Sequence, residues 1–170
     1  LGGKMLGPLY TPPEKPMRPQ IYAVVAACLL ACSAAQARDT TPATPTVNER
    51  LHSAQKAIQA KHWSRAQTEL TAALEDEPRN ADIHNLLGYT ARKSSPPQLS
   101  RAFFHYKIAL DINPQHRGAR EYLGEAYLMD KQPAEAQKQL AALEQICGNQ
   151  SCEEYADLAK AIADYKASNP

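Results

Sequence analysis

Apolar positions in this chain recur at helical spacing. Leu51, Ala54, Ala57 and Ile58 fall three or four residues apart, and Ala66, Leu70, Ala73 and Leu74 do the same after Trp63, so each set lays one apolar stripe along a helix. Thr46 and Glu49 have the form of a capping box, in which each side chain accepts the other residue's orphan N–H, and this predicts the first helix start. Pro78 ends the second helix, because proline cannot donate to a continuing ladder. A last stripe, Tyr155, Leu158, Ile162 and Tyr165, leaves Asp157, Lys160, Asp164 and Lys166 for water, and Ser151 with Glu154 predicts a second capping box at its start. Only 7 glycines occur and Phe and β-branched residues are few, which excludes a large sheet with many tight hairpins and leaves an all-α protein.

The stripes repeat. LTAALEDEPRN and HYKIALDINPQ superpose, with Ala73-Leu74 standing before Pro78 as Ala109-Leu110 stands before Pro114, 36 residues on. Ala66 matches Ala102, Leu87-Gly88 and Leu123-Gly124 are also 36 apart, and Ala136 follows Ala102 by 34. The period is therefore about 34 residues, expanded by two at KSSPPQ, and no single unit of that size can bury its apolar face alone. Small residues at Gly88, Ala102, Gly124 and Ala136 are expected to let antiparallel helices approach closely. Leu87, Tyr127 and Leu143 are expected to fill the space between hairpins.

The front of the chain follows no such pattern. Leu1 to Pro16 is Gly/Pro-rich and without periodicity, and reads as an upstream extension ahead of a start at Met17. Residues 17–37 then run from a basic MRPQ through an apolar stretch at Ile21–Leu30 to Ala35-Gln36-Ala37, the form of a secretory signal peptide cleaved after Ala37. Ile21 to Ala35, at ~1.5 Å per residue, makes about 22 Å of helix, too short for a hydrocarbon core of roughly 30 Å, so no membrane span is expected. A second reading of the segment takes Leu29-Leu30-Ala31-Cys32 as a lipobox, with Cys32 lipidated and the product anchored to the outer membrane. Residues 38–46 are a Thr/Pro linker.

Charge and chemistry narrow the function. Lys+Arg number 19 against Asp+Glu 18, and without residues 1–37 the balance is 16 to 17, so a nucleic-acid partner is excluded. Five histidines (His52, His62, His84, His105 and His116) are scattered without metal-ligand spacing, and no phosphate-binding loop, dinucleotide fingerprint or nucleophile elbow is present. No cofactor, metal or catalytic residue is predicted. Cys147 and Cys152 are the even pair left after export and are expected to join as a disulfide in an oxidising compartment. The rival reading is a redox or metal-handling pair, although the spacing is not Cys-x-x-Cys. Asn149-Gln150-Ser151 has the form of a glycosylation sequon, which a bacterial-looking leader makes a chance match.

With Leu87-Gly88, Ala102, Ala109 and Pro114 in one unit and Leu123-Gly124, Tyr127, Ala136 and Leu143 in the next, the chain resembles the tetratricopeptide repeat. Ala54, Ala66, Ala73 and Pro78 fit a first unit in which Ser53-Ala54 replaces Leu-Gly, and Gly148 replaces the closing proline of the third. The resemblance implies a right-handed α-solenoid of about three hairpins over 47–80, 81–116 and 117–148, with a capping helix in 149–170. It implies a concave groove formed by the first helix of each hairpin, which holds a peptide or helix of a partner protein. By register this groove would take Asn48, Leu51, His52 and Gln55, then Asn85, Leu86, Tyr89, Arg92 and Lys93, then Glu121, Tyr122, Glu125 and Met129. Aromatic, Arg and Met side chains suit an interface, while Tyr89 and Tyr122 have the alternative of packing sideways between helices. Glu121 and Glu125 would repel a C-terminal carboxylate, so the carboxylate clamp of the chaperone-binding members is not expected. The implied function is a non-catalytic periplasmic adaptor for another protein.

Overall fold

A computed structural model describes residues 44–169; the segment read as a signal peptide, Cys32 and the expected cleavage after Ala37 lie outside them. The described residues form seven helices and no strand: α1 Val47–Gln59, α2 Trp63–Asp76, α3 Ala81–Lys93, α4 Leu99–Ile112, α5 Arg117–Met129, α6 Pro133–Cys147 and α7 Glu153–Ser168. The expected all-α class holds. No described helix is long and apolar enough to cross a membrane.

Local chemistry sets the helix ends. The Thr46 box forms, with the Thr46 N–H donating to Glu49 Oε2 at 2.8 Å and the Glu49 N–H to Thr46 Oγ1 at 3.3 Å. The Thr46 N–H, and then the Thr46 hydroxyl donating to the same Oε2 at 3.0 Å, lower the Glu49 pKa. Asn80 Oδ1 caps α3 through the Asp82 and Ile83 N–H groups, and His116 Nδ1 caps α5 through the Ala119 N–H. The second predicted box does not form. Cys152 is the N-cap of α7, with no side-chain cap bond, and Ser151 donates from both its N–H and its Oγ to Asn149 Oδ1. The turn closed by Asn149 takes Ser151 away from the helix, and Glu154 reaches Arg117 at 3.4 Å instead.

Two helix pairs close through identical three-residue turns. Lys61 (φ 57°) and Lys131 (φ 60°) occupy the left-handed position. The next N–H in each turn reaches back to Ala57 O or Tyr127 O at 2.8 Å, which satisfies carbonyls the helix end would orphan. Between α3 and α4 the turn is Ser94–Gln98, where the sequence carries its two extra residues.

Each helix packs on the next, and α5 also packs on α3 and α7. Ala54, Leu70, Ala73, Ile83 and Leu87 form one core cluster, Ala91, Ala102, Tyr106, Leu123 and Ala126 a second, and Leu128, Ala136, Leu140, Leu143, Leu158 and Ile162 a third. Tyr127 packs against both the second and third clusters. Gly88 gives room to its hairpin partner as expected, whereas Gly124 does not. A Cβ on Gly88 would sit 2.5 Å from the Tyr106 ring, and one on Gly124 2.6 Å from Leu158. Each glycine therefore makes room for a large side chain, and Gly124 does so for α7 rather than for its hairpin partner α6. The apolar stripe of α7 docks as predicted, with Leu158 and Ile162 buried and Tyr155 and Tyr165 half-buried. Cys147 and Cys152 are joined, Sγ–Sγ 2.06 Å, fastening the end of α6 to the start of α7 around Gly148 in the left-handed conformation.

Candidate functional site

Along the α3–α5–α7 row, large polar side chains stand where a simple core would place apolar ones. Arg92 is only 4% exposed. Its guanidinium lies 5.5 Å from the Tyr89 ring centre and 5.4 Å from that of Tyr122, the two rings being 4.9 Å apart. Its Nε donates to the Tyr106 hydroxyl at 3.4 Å, and its Nη2 is ion-paired with Glu125 Oε2. A buried guanidinium needs this set of partners, since an unpaired one would cost several kcal/mol, and cation–π contact with desolvated rings adds about 1–2 kcal/mol. Trp63 meets the edge of Tyr89 at 6.2 Å, and Lys93 Nζ lies 5.8 Å over the same ring. Burial, helped by Glu121, pushes the Tyr122 hydroxyl up to about 12.

Glu121 has no comparable partner. It is 8% exposed, and among the described residues its carboxylate takes part in no hydrogen bond or ion pair. Burial first, then the carboxylates of Glu125, Asp157 and Glu154, push it up to about 8 against the opposing pull of Arg92. Asn85 is 7% exposed, and its Oδ1 is buried without a hydrogen-bond partner. Its amide faces the first turn of α5, where a Cβ on Gly118 would come within 3.4 Å of Nδ2.

Beyond Arg92 the row opens into a hollow of about 470 Å³ between the C-terminal halves of α5 and α7. Glu125, Leu128, Met129, Asp164 and Tyr165 line it with Arg92, and Met129 is 45% exposed.

The residues placed in one groove by register therefore separate. Arg92, Tyr89, Tyr122, Glu125 and Lys93 come together, with the rings packed sideways on one another. Asn85 and Glu121 are buried beside them. Leu51 of α1 and Leu86 of α3 instead pack on the first core cluster, which α1, α2 and α3 share. Asn48, His52 and Gln55 are exposed on α1. The register did not include Leu128, Asp164 and Tyr165, nor Glu154 and Asp157. The last four belong to α7, a cap by its pattern. The signal that could have found them is position in the chain: as the helix after the third pair, α7 takes the next place in the row.

Two histidines make a separate buried contact. His84 Nε2 lies 3.2 Å from the Pro78 carbonyl oxygen and His84 Nδ1 lies 3.1 Å from His105 Nδ1. The tautomers that satisfy both bonds have His84 donating to the carbonyl and His105 donating to His84. Burial, then His84 and Arg101, hold His105 down to about 4, so the His105 ring is neutral at pH 7, and the contact braces α3 against α4. Among the described residues no three His, Cys, Asp or Glu side chains stand where they could hold one metal ion. Comparison of the sequence with protein-family models and with curated proteins gives no match.

Proposed function

We propose that the chain is a tetratricopeptide-like scaffold: a right-handed solenoid of three hairpins and a capping helix, exported to a bacterial periplasm, that holds a segment of another protein on its α3–α5–α7 row. The shared turn geometry at Lys61 and Lys131 and the side-chain caps that start α1, α3 and α5 support a repeated hairpin. The observation that carries the binding reading is the hollow beside Met129. A thioether nearly half exposed at the mouth of an open, preformed cavity between packed helices is the kind of adaptable surface that protein partners use. Because the helices are already ordered, association costs little conformational entropy. The place of the cystine at the α6–α7 junction supports a brace over a redox role.

The test is affinity capture from periplasmic extract with residues 38–170 as bait beside a Met129→Glu variant, both shown helical by circular dichroism. A partner held by the first and lost by the second is the expected result. A partner held equally by both, or by neither, overturns groove binding at this site. Intact mass of the exported product tests the leader reading: a soluble chain beginning at Arg38 is expected, and an acylated chain beginning at Cys32 would make it an anchored lipoprotein.

A further inference from the structure

The groove reading above leaves the partner's chemistry open, and the inference that follows rests on it. We infer that the segment held on the α3–α5–α7 row presents a cationic side chain, a lysine or arginine next to an apolar residue, to the Glu121 carboxylate.

The row contains acceptors without donors. Glu121 is more than nine-tenths buried, lacks a partner and is repelled by its neighbours. Asn85 Oδ1 is a buried acceptor with nothing bonded to it, on a side chain whose Nδ2 faces Gly118, one turn before Glu121 on the same side of α5. Buried polar groups are ordinarily satisfied, so the unmet Asn85 acceptor favours a donor brought by a ligand. The nearest cation cannot relieve them: Arg92 is committed to Glu125, to the Tyr106 hydroxyl and to two aromatic rings. Groups acting on Glu121 come from α3 (Arg92), from α5 itself (Glu125, Tyr122) and from α7 (Glu154, Asp157), and all but Arg92 are acidic or neutral.

The wider field points the same way. Residues 44–120 carry eleven Lys and Arg against seven Asp and Glu, whereas residues 121–169 carry four against nine. On the row itself the acidic groups are Glu121 and Glu125 of α5 and Glu154, Asp157 and Asp164 of α7. Opposite potentials steer and orient an incoming chain. A metal ion is the wrong cation for these carboxylates, since no three of them converge on one point, whereas a long side chain with several donors can span them. Glu125 follows Glu121 by one turn and lines the hollow, so an apolar residue beside the cation would rest on Leu128, Met129 and Tyr165.

Binding would draw the proton from Glu121, because a cation at hydrogen-bond distance favours the charged carboxylate. Affinity should therefore rise with pH, which a diffuse acidic surface already ionised at neutral pH would not show. The probe is a short fluorescein-labelled peptide alternating leucine with lysine, and its counterpart alternating leucine with glutamate, titrated with the 38–170 protein by fluorescence anisotropy. We expect the lysine peptide to bind in preference, about tenfold tighter at about pH 9 than at about pH 6. Glu121→Gln should abolish most of that pH dependence and weaken binding about tenfold at the higher pH. An exposed acidic pair on α2, Glu75→Gln with Asp76→Asn, should leave both unchanged. Equal binding by wild type and Glu121→Gln, a flat pH profile in the wild type, preference for the glutamate peptide, or no binding of either peptide each overturns the inference. A glutamate peptide lost on Met129→Glu would do so while leaving the groove itself standing, and the capture experiment judges the groove separately.

Discussion

Replacing Glu121 by glutamine keeps the shape of the side chain and removes its charge, so it isolates the cost of a carboxylate buried on the α3–α5–α7 row. The sign follows from linkage. An unfolded chain releases the Glu121 proton near 4.5, whereas the folded chain holds it to about 8. Stability is therefore fully present below the lower value, falls as pH rises between the two, and stays reduced above the upper one. At about 1.4 kcal/mol per pH unit the ceiling is roughly 5 kcal/mol. Solvent at the mouth of the groove screens part of it, which leaves about 2 kcal/mol, or about 6–8 °C in Tm for a unit of this size. His105 contributes the opposite slope: held down to about 4 when folded, it lets the unfolded chain take up a proton first as pH falls below its ordinary 6.5, so stability is lost from there downward. The two slopes overlap in wild type but cancel in a difference. Thermal or urea unfolding of wild type and Glu121→Gln across about pH 4 to 9 should show no difference at the acid end and a gain for the variant that reaches about 2 kcal/mol at the alkaline end. A constant gap across the range, or a variant less stable throughout, would falsify the view of Glu121 as an unpaired buried acid. A protein that keeps such a residue forgoes stability at a site where charge has a use.

Further outcomes follow from the packing. Gly88→Ala places a methyl 2.5 Å from the fully buried Tyr106 ring and should lose roughly 1–3 kcal/mol to overpacking; Gly118→Ala comes no closer than 3.4 Å to Asn85 Nδ2 and 3.6 Å to the His116 ring and should be neutral or gain up to about 1 kcal/mol in helix propensity. Urea midpoints that rank the two variants the other way would refute this use of the glycines. Lys131→Gly, relieving a side chain at φ 60°, should raise stability by about 0.5–1 kcal/mol, as read from Tm; a fall would mean that the lysine side chain itself contributes. Replacing Cys147 and Cys152 together by serine removes a short covalent loop and should cost about 2 kcal/mol in the chain-entropy view. Hydrogen exchange should then show protection lost first in α7, and uniform loss along the chain would contradict its role as a local brace.

The sequence by itself determined the helices. Stripes at three and four residues, Thr46 at a cap and Pro78 at a stop are local signals, and the helices follow because capping and periodicity act within a turn or two. It also determined the pairing of Cys147 with Cys152, only five residues apart, and the apolar face on which α7 docks. Where a competing local bond existed the reading failed, as when Asn149 took Ser151 away from the α7 cap. Tertiary structure alone decided what the polar residues do. Nothing in their spacing says that Arg92 lies between two tyrosines and against Glu125, that Leu51 and Leu86 turn toward the core, or that Asp157 and Glu154 from a helix read as a cap press their charge on Glu121. Burial and charge depend on distances between helices far apart in sequence, and a pattern along one helix fixes which side faces inward but not which neighbour it meets there.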